Sequence, residues 1–490
     1  MASTGGNQRP VLRASGAVMG GHGTVLIAGI LRGIIAARLV SPTEFGTYVV
    51  AAAFLGFLEV ATQPGLQEAV VAARHRPEPR VLRTVWTLNI ARGLALAAAT
   101  FIGAPYLAAL VRIPEASAAL QLLALVPLLR GLQSLEPSLR QRETRLGLLS
   151  GVAGMGAITG LLGTAVGGWI LPTAVGLSIG LVVESVARVL VSYTRGGFVP
   201  GVGFALRDSV KLVRFASWRF GSNLVTYASM NLDDLVVGRL VGPAPAGGYR
   251  IGYRLSSAAT ADLPYMLGHV MLPTFRQMLH AQPGMLRTTY VRYAGTIVAV
   301  GTTLAFAVAP VTEPLIVALL GADWRFVTGP FLIFLGGGII RAVLSSGVPV
   351  FLGCGQPRFD TTMQTVRLVA LVVALVLLAP TYGLMGAAWA SAISAAFALA
   401  PWAWGMRALD LHPAATAGRL LVCVAPGLTA LSVSLIARLS LGDSLAAAVV
   451  AVPAALTAAL VYALLVDRRI IRDVRWLAGL GAQPNEGEHA

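Results

Sequence analysis

One stretch of sequence decides the fold of this chain, because the chain contains it twice. The sequence RLVSPTEFGTY at residues 38–48 recurs without a gap as RLVGPAPAGGY at residues 239–249, which is 201 positions further on. Six of the eleven aligned positions are identical. Each copy ends a long apolar segment, the first and the seventh of the chain, just before the next segment begins. The match therefore predicts that the second half of the chain repeats the first.

A second, weaker match supports the repeat. Pro172-Thr173 precedes the sixth apolar segment, and Pro380-Thr381 precedes the twelfth. The pattern predicts a six-span unit, a second six-span unit in the same orientation, and two additional spans. Parallel internal repeats of membrane spans are typical of transporters, in which the substrate pathway lies at the interface between the repeats.

Composition indicates a membrane protein. Of 490 residues, 56% are apolar and 12% are charged, and the mean hydropathy is +0.75. A soluble chain carries about 25% charged residues. The apolar runs are long enough to cross the hydrocarbon of a bilayer, which takes ~20 helical residues. We predict an all-α, polytopic membrane protein with about 14 transmembrane helices, divided into an N-terminal six-helix lobe (1–195), a second six-helix lobe (196–410), two additional helices (411–470) and a cytoplasmic tail (471–490).

The distribution of basic residues predicts the orientation. The two ends and the loops after even-numbered spans hold 25 of the 37 lysines and arginines. Because loops rich in Lys and Arg stay on the cytoplasmic side, both termini should be cytoplasmic and the span count even. The net charge of +16 is spread over many loops rather than gathered in one stripe. It therefore indicates attraction to anionic membrane lipids and not nucleic-acid binding.

Enzymes and metal sites are not indicated. Lys211 is the only lysine and no glycine-rich phosphate loop precedes it, so the chain has no Walker A site. The six histidines include no pair at metal-ligand spacing, and the two cysteines, Cys354 and Cys423, are far apart. No serine nucleophile elbow occurs, and the outer loops, apart from about 311–325, are too short for a catalytic domain. We expect a protein that is not an enzyme and that uses neither a metal nor a cofactor.

Three short sequences resemble a known family. Residues 37–48, ARLVSPTEFGTY, resemble the phrase A-R-x-L-x-P-x-x-F/Y-G-x-Y/F of Wzx-type polysaccharide flippases, which belong to the multidrug/oligosaccharidyl-lipid/polysaccharide exporter superfamily. The stretch from Asn231 to Tyr249 is similar to the seventh-span region of that family, and residues 383–390, GLMGAAWA, resemble its entry to the twelfth span. The resemblance covers about residues 10–440.

The resemblance implies two six-helix lobes around a central cavity and alternating access between the leaflets of the cell inner membrane. It implies undecaprenyl-diphosphate-linked oligosaccharide as the substrate, in the biosynthesis of a surface polysaccharide such as O-antigen or exopolysaccharide. A polysaccharide polymerase or glycosyltransferase complex is the protein partner that it suggests.

Arginines inside the spans suit such a substrate, because a diphosphate that crosses hydrocarbon needs fixed cations. Charged residues within spans usually face the bundle interior and are functional candidates, and guanidinium matches phosphate in a bidentate geometry. The candidates are Arg130 and Arg341 near the middle of the fourth and tenth spans, Arg32 and Arg254 near the outer ends of the first and eighth, and Arg92 in the third. The structural alternative is that Arg130 pairs with Glu136 and that Arg32 or Arg254 snorkels to the interface.

A polar stripe follows the seventh span. Asn223, Tyr227, Asn231 and Asp234 recur at intervals of three to four residues on an otherwise apolar helix. Such a stripe either lines a cavity or joins helices by hydrogen bonds, and the adjacent carboxylate of Asp233 favours the cavity. We therefore expect Asn223, Tyr227 and Asn231 to contact the substrate. Asp234 is the main candidate for the site of a driving ion, because a buried carboxylate can take up a proton. Asp233 points about 100° away on the helix and should matter less.

Two further carboxylates are candidates for ion coupling because they lie beside predicted helix breaks. Glu59 precedes Gln63-Pro64-Gly65 in the second span, and Asp262 precedes Pro264 in the eighth. Proline removes a backbone donor and so interrupts a spanning helix. Breaks at matching places in the two repeats are typical of the moving parts of transporters.

Other polar and small residues are expected to be structural. Glu184 and Arg188 are four residues apart in the sixth span and should form an ion pair on one helical face. In the fifth span, Gly156-x-x-x-Gly160 and Gly163-x-x-x-Gly167 should permit close helix packing.

Three other functions remain open at this stage. A multidrug or ion antiporter of the same superfamily typically has an acidic residue early in the chain, whereas the first span here carries Arg32. A lipid II flippase of peptidoglycan synthesis also has a cationic cavity and fourteen spans. A scaffold for a glycan synthase complex would tolerate every substitution among the charged residues within the spans.

Overall fold

The computed structural model describes residues 8–473 except for 64, 74–75, 144, 206–226, 229–230, 263–267, 269–270, 273, 277, 279–282, 412, 443–444 and 467–471. Within these residues the chain is helical almost throughout and contains no β-strand, which confirms the predicted all-α class.

The helices before residue 195 include several long ones and several short ones. They are α1 (Gln8–Leu39), α2 (Pro42–Thr62), α3 (Leu66–Ala72), α4 (Pro79–Leu110), α5 (Ala116–Leu123), α6 (Leu125–Gly131), α7 (Glu136–Arg142), α8 (Gly147–Ile170) and α9 (Ala174–Ser192).

Further long and short helices lie between residues 231 and 465. They are α10 (231–241), α11 (Pro243–Thr260), α12 (Leu286–Val308), α13 (Thr312–Leu320), α14 (Thr328–Gly353), α15 (Pro357–Phe397), α16 (Leu399–Ala408), α17 (Pro413–Val422), α18 (Ala425–Leu441) and α19 (Leu445–Leu465).

The chain is a multi-pass membrane protein. In the described part of the chain, nine helical stretches are long and apolar enough to cross a bilayer, or ten if the bent pair Ala116–Gly131 and Glu136–Arg142 forms one span. One of these stretches, Pro357–Ala408, is 52 residues long and contains Gly383 at φ 58° and ψ −135°, so it is divided within its length. The predicted number of fourteen spans stays a prediction.

The predicted break in the second span is confirmed. Helix α2 ends at Thr62 and α3 begins at Leu66. Between them Gly65 has φ 68°, a left-handed conformation that glycine adopts without the strain a side chain would cause. The corresponding position of the eighth span, Pro264, lies outside the described residues.

Glycines bring α8 and α9 into close contact, as the sequence predicts. A Cβ added at Gly167 would lie 2.3 Å from the carbonyl oxygen of Gly176, and one added at Gly163 would lie 3.1 Å from the Cα of Gly180. Small residues that let backbones approach are the usual means of helix association in lipid. Any larger residue at Gly167 would force these two helices apart.

The chain forms two compact units, Met1–Ile251 and Gly252–Ala490. The first unit therefore includes α10 and the beginning of α11. These two helices contain the second copy of the repeated sequence. The predicted lobe boundary between residues 195 and 196 stays a prediction.

Within the first unit, the two copies of the repeated sequence pack against each other through their shared glycine. A Cβ added at Gly46 would lie 1.7 Å from the carbonyl oxygen of Pro243. Reciprocally, a Cβ added at Gly247 would lie 3.0 Å from the carbonyl oxygen of Pro42. The glycine of each copy thus packs against the proline of the other copy. A side chain at position 46 would have no room. This close approach is the physical reason why both copies carry glycine at this position.

Candidate functional site

Glu59 is the centre of a first charged cluster in the first unit. It lies three residues before the end of α2 and is only 6% exposed. Its Oε2 accepts a hydrogen bond from Arg130 Nη1 of α6. Arg92 Nη1 of α4 donates to the Glu59 carbonyl oxygen and to Thr62 Oγ1, both at 3.2 Å. Two guanidinium groups therefore share the neighbourhood of one carboxylate, which leaves a net positive charge.

The predicted alternative partner of Arg130 is wrong. Glu136 accepts a hydrogen bond at 2.7 Å from Arg140 Nε, one helical turn further along α7. The short sequence separation between Arg130 and Glu136 suggested a pair, but the bend between α6 and α7 separates their helices. Arg130 is instead paired with a residue 71 positions earlier.

Glu184 of α9 holds two arginines. Its Oε1 accepts from Arg188 Nη2 at 2.7 Å and from Arg188 Nε at 3.0 Å, which confirms the predicted ion pair. Its Oε2 accepts from Arg32 Nη1 of α1 at 2.8 Å. Arg32 Nη2 also donates to the Tyr48 hydroxyl at 3.1 Å. Arg32 is thus held by a carboxylate and a phenol rather than left to snorkel.

The first glycine pair of α8 makes room for this group. A Cβ added at Gly160 would lie 2.9 Å from Glu184 Oε2 and 3.2 Å from Arg32 Nη1. A Cβ added at Gly156 would lie 2.7 Å from Arg188 Cγ. The packing role predicted for the Gly156-x-x-x-Gly160 pattern is therefore more specific than helix association alone, because the glycines seat an ionic cluster.

Asp233 and Asp234 of α10 have different partners. Asp234 Oδ2 accepts from Arg250 Nη1 of α11 at 2.8 Å, and Asn231 Oδ1 accepts from the same nitrogen at 3.3 Å. Asp233 Oδ2 accepts from the Tyr249 hydroxyl at 2.8 Å. Asp234 is 1% exposed, so its charge depends on Arg250 for compensation. Different partners for the two adjacent carboxylates agree with their different directions on the helix.

The repeat places these groups at equivalent positions with opposite charge. Asp233 lies 201 positions after Arg32, and Tyr249 lies 201 positions after Tyr48. In the first copy the tyrosine hydroxyl accepts from the arginine, and in the second copy it donates to the aspartate. The tyrosine that ends each copy therefore forms a hydrogen bond with the charged residue that lies 16 positions before it.

Tyr227 also lies in the first unit, where it contacts α2. Its hydroxyl donates to the Ala53 carbonyl oxygen at 2.9 Å. A Cβ added at Gly56 would lie 2.1 Å from the same hydroxyl, so glycine is needed there. Tyr227 joins two helices in this conformation, and its predicted contact with substrate stays a prediction. The fourth member of the predicted polar stripe, Asn223, lies outside the described residues.

In the second unit Arg341 of α14 is buried without a carboxylate partner among the described residues. Its side chain donates to the Phe334 carbonyl oxygen at 3.3 Å and to Ser391 Oγ at 3.5 Å, and its Nε has no hydrogen-bond partner in the part of the chain that is described. The guanidinium carbon lies 4.6 Å from the centroid of the Tyr253 ring, a cation–π contact. Arg341 is 6% exposed. Its hydrogen bonds and its ring contact are all with neutral groups, so within the described part of the chain no ion pair compensates its positive charge.

Arg254 and Asp262 form a loose ion pair near Arg341. Arg254 Nη1 lies 3.6 Å from Asp262 Oδ2, which is longer than a good hydrogen bond. Asp262 also interacts electrostatically with Arg341. Three predicted site residues, two cations and one carboxylate, therefore form one group in the second unit. This group again has a net positive charge.

Arg250 is not among the site residues that were predicted from the sequence. The structure places Arg250 in α11 as the partner of Asp234. The repeat could have located it, since it directly follows the tyrosine that ends the second copy. Within the described residues no group of three His, Cys, Asp or Glu side chains is arranged to hold a metal ion.

The fold and these clusters define a class of protein, an all-α, multi-pass membrane protein that buries several groups of charged side chains. Residues 35–328 match the profile of the polysaccharide biosynthesis protein family, and the chain belongs to that family. The resemblance inferred from the repeated sequence is thereby confirmed.

Two relatives carry related names. The chain is 27% identical over 343 residues to the succinoglycan biosynthesis transport protein ExoT of Rhizobium meliloti (strain 1021), an alignment that covers 69% of this chain and 68% of the relative. It is 22% identical over 335 residues to the lipopolysaccharide biosynthesis protein WzxC of Escherichia coli (strain K12), with 67% of each chain covered.

Solved structures share the fold. The lipid II flippase MurJ in an inward closed conformation matches with a TM-score of 0.74 at 15% identity, over 94% of this chain and 100% of that chain. A multidrug resistance MATE family transporter in an inward-facing conformation matches with a TM-score of 0.61 at 14% identity, over 80% of this chain and 95% of that chain. At such low identity these likenesses show the fold and not the substrate.

Proposed function

We propose that this protein is a flippase of the cell inner membrane that moves undecaprenyl-diphosphate-linked oligosaccharide from the cytoplasmic to the outer leaflet by alternating access. The exported unit supplies surface polysaccharide, O-antigen or exopolysaccharide. Membership of the polysaccharide biosynthesis protein family supports the pathway, and the names of the relatives ExoT and WzxC agree with it.

The observation that carries the proposal is Arg341. A buried guanidinium with only neutral contacts is costly in a spanning helix, and the cost is offset when an anion binds beside it. A diphosphate loses its hydration shell when it leaves water, and charge-assisted hydrogen bonds from arginine replace that shell. The unpartnered Nε of Arg341 is free to donate to such an anion.

The charges of the other predicted arginines are already partly compensated by carboxylates. Arg130 and Arg92 share the neighbourhood of Glu59, and Arg32 shares Glu184 with Arg188. Each group nevertheless has one more cation than carboxylates, so each is attractive to an anion. In our proposal Arg341 makes the main contact, with the Arg254–Asp262 pair near it, and Arg130 and Arg32 add positive potential within the first unit.

Asp234 is our candidate for the site of the driving ion. It is buried and its charge is compensated by Arg250 at 2.8 Å. Uptake of a proton would neutralise the carboxylate and release Arg250, whose side chain also contacts Asn231. Asp233, Glu59 and Asp262 are the further candidates, and each has an arginine or tyrosine partner of its own.

Deletion of the gene tests the proposed function. We expect the mutant to lose surface polysaccharide and to accumulate undecaprenyl-linked oligosaccharide in the inner leaflet, because the lipid-linked unit can no longer cross. Both are measured by glycan staining and by lipid extraction. If surface glycan is unchanged while sensitivity to cationic drugs rises, the antiporter alternative replaces the proposal. If growth stops and lipid II accumulates, the peptidoglycan alternative replaces it.

The orientation of the chain is a further testable prediction. The arginine distribution places both termini and the loops 73–83, 140–146 and 193–211 in the cytoplasm, with Pro42–Phe45 and Pro243–Ala246 outside. We expect an impermeant thiol reagent added to intact cells to label a cysteine at position 44 and not one at position 78. The opposite labelling pattern would show that the chain has the reverse of the predicted orientation.

A further inference from the structure

The two repeats carry the same combination of charges in corresponding predicted spans. In the first repeat Glu59 of the second span accepts a hydrogen bond from Arg130 of the fourth span. In the second repeat Asp262 and Arg341 lie in the corresponding spans. Asp262 is 203 positions after Glu59 and Arg341 is 211 positions after Arg130, close to the 201 positions that separate the repeated sequences. Asp262 and Arg341 are thus the counterparts of an ion pair that the first repeat forms.

The second repeat does not form this ion pair in the conformation described. Asp262 Oδ2 lies 3.6 Å from Arg254 Nη1 and has no hydrogen-bond partner within the described ranges. Arg341 Nε is likewise without a hydrogen-bond partner there. Asp262 and Arg341 act on each other electrostatically, but no ion pair joins these two described side chains. A buried carboxylate oxygen and a buried guanidinium nitrogen near it are therefore both available for a new partner.

The backbone segments that carry the two side chains are packed tightly together. A Cβ added at Gly338 of α14 would lie 2.2 Å from Thr260 Oγ1 at the end of α11. Gly338 is three residues before Arg341, about one helical turn, and Thr260 is two residues before Asp262. Thr260 Oγ1 is itself fixed, because it donates to the Ser256 carbonyl oxygen at 2.8 Å. Changes of side-chain rotamer can therefore bring the carboxylate to the guanidinium while the helices stay in contact.

The present contacts of Arg341 are weak enough to be exchanged. Its hydrogen bonds to the Phe334 carbonyl oxygen and to Ser391 Oγ are 3.3 and 3.5 Å long, beyond the usual range, and its third contact is the Tyr253 ring. Hydrogen bonds between two charged groups are about twice as strong as neutral ones. A phosphate oxygen and the Asp262 carboxylate are both better partners than these neutral groups, so the two compete for one guanidinium.

We propose that Asp262 releases the diphosphate from Arg341. The conformation described here accepts the anion, and an Asp262–Arg341 ion pair, the counterpart of Glu59–Arg130, forms later in the transport cycle and displaces it. Asp262 is thus a positioning residue, which acts by occupying Arg341 and not by contacting the substrate. The inference rests on the proposed function, and it gives Asp262 a role other than the binding of a driving ion.

Replacing Asp262 with asparagine tests the inference, because the amide keeps the shape of the side chain but cannot form the ion pair. We expect the purified variant to bind farnesyl diphosphate about tenfold more tightly than the wild type, since the competing state that lowers the apparent affinity is lost. Export in a complemented deletion strain should fall about tenfold, because release of the substrate becomes slow. Asp262→Glu keeps the carboxylate and should restore part of both properties.

Affinity is measured by isothermal titration calorimetry in detergent, and export by surface glycan. A purely structural role of Asp262 would lower affinity and export together. Equal or weaker binding by Asp262→Asn, or export at the wild-type level, would overturn the inference.

Double variants show whether Asp262 acts through Arg341. The gain in affinity should vanish in an Arg341→Ala background, whose weaker binding is measured at higher ligand concentration, and should persist in an Arg254→Ala background. A gain that survives Arg341→Ala would contradict the inference. The matched control is Asp360→Asn, because Asp360 near the start of α15 also has a carboxylate oxygen without a hydrogen-bond partner in the described part of the chain. This variant should bind and export as the wild type does.

The inference and the proposed function fail in distinguishable ways. If gene deletion leaves surface polysaccharide intact, the proposed function fails. The competition for Arg341 is then tested with inorganic diphosphate as the ligand, where tighter binding by Asp262→Asn supports it and equal binding overturns it. If gene deletion abolishes surface polysaccharide but Asp262→Asn exports normally, the proposed function stands and the release role of Asp262 is wrong.

Discussion

Replacing Arg341 with alanine is expected to abolish export of the lipid-linked oligosaccharide while leaving the protein in the membrane at normal abundance. Arg341 has no ion-pair partner among the described residues, and Asp262, with which it interacts electrostatically, keeps its contact with Arg254, so removal of Arg341 should cost little stability. What is lost is the cation that we propose binds the diphosphate. We expect a fall in export of about 10- to 100-fold for each charge-assisted hydrogen bond that is lost, since such a bond is worth about 1.5–3 kcal/mol. Complementation of a deletion strain, with surface glycan as the measure, checks this.

Lysine at the same position is the informative control. Arg341→Lys keeps the charge but loses the planar fork of donors and the stacking on Tyr253, so it should restore only part of the export. Arg358→Ala is the matched control, because Arg358 stacks on the Phe359 ring near the start of α15 but is not a predicted site residue. Export at the wild-type level by Arg341→Ala would show that the arginine is structural and that the cationic mechanism is wrong.

The same substitution at Arg130 should give a different result. Arg130→Ala leaves the buried carboxylate of Glu59 with only Arg92 nearby, so a loss of export there would combine a loss of stability with a loss of substrate contact. The double variant Glu59→Gln/Arg130→Ala removes the unpaired charge. If the double variant regains abundance but not export while Glu59→Gln alone exports normally, Arg130 contacts the substrate, and if the double variant regains both, the pair is structural.

Replacing Glu184 with alanine is expected to destabilise the fold by about 3 kcal/mol, the usual cost of removing one partner of a buried ion pair. Two guanidinium groups, of Arg32 and Arg188, depend on this one carboxylate. Without it they repel each other in the space that Gly156 and Gly160 leave beside α8. The change is measured as a lower midpoint of thermal unfolding in detergent and as lower abundance in the membrane.

Glu78→Ala is the matched control for Glu184→Ala. Glu78 is paired with Arg80 at 2.6 Å, but both side chains are more than 60% exposed. Exposed ion pairs contribute about 0–1 kcal/mol, so this variant should unfold almost as the wild type does. Equal midpoints for Glu184→Ala and Glu78→Ala would mean that the Glu184 cluster does not stabilise α1 against α9.

Local sequence patterns determined much of this protein. The repeated sequence at 38–48 and 239–249 predicted related halves, and the apolar runs predicted spanning helices. Pro64-Gly65 predicted the break after Thr62, and the spacing of Glu184 and Arg188 predicted their ion pair. Each of these features depends on residues that are close along the chain, because helical periodicity, proline and glycine act over a few residues.

The tertiary structure alone decided which distant side chains meet. Arg130 contacts Glu59, which is 71 positions away in the sequence, and Arg32 contacts Glu184, which is 152 positions away. A helix has several faces, and its sequence shows which are polar but not which neighbour each one meets. That choice depends on how the glycines of α8, and those shared by the two copies of the repeat, let particular helices approach. The sequence alone therefore determined the helices, the repeat and a set of candidate charges. Packing between the helices determined which charges are already paired, and that Arg341 has no ion pair within the part of the chain that the structure describes.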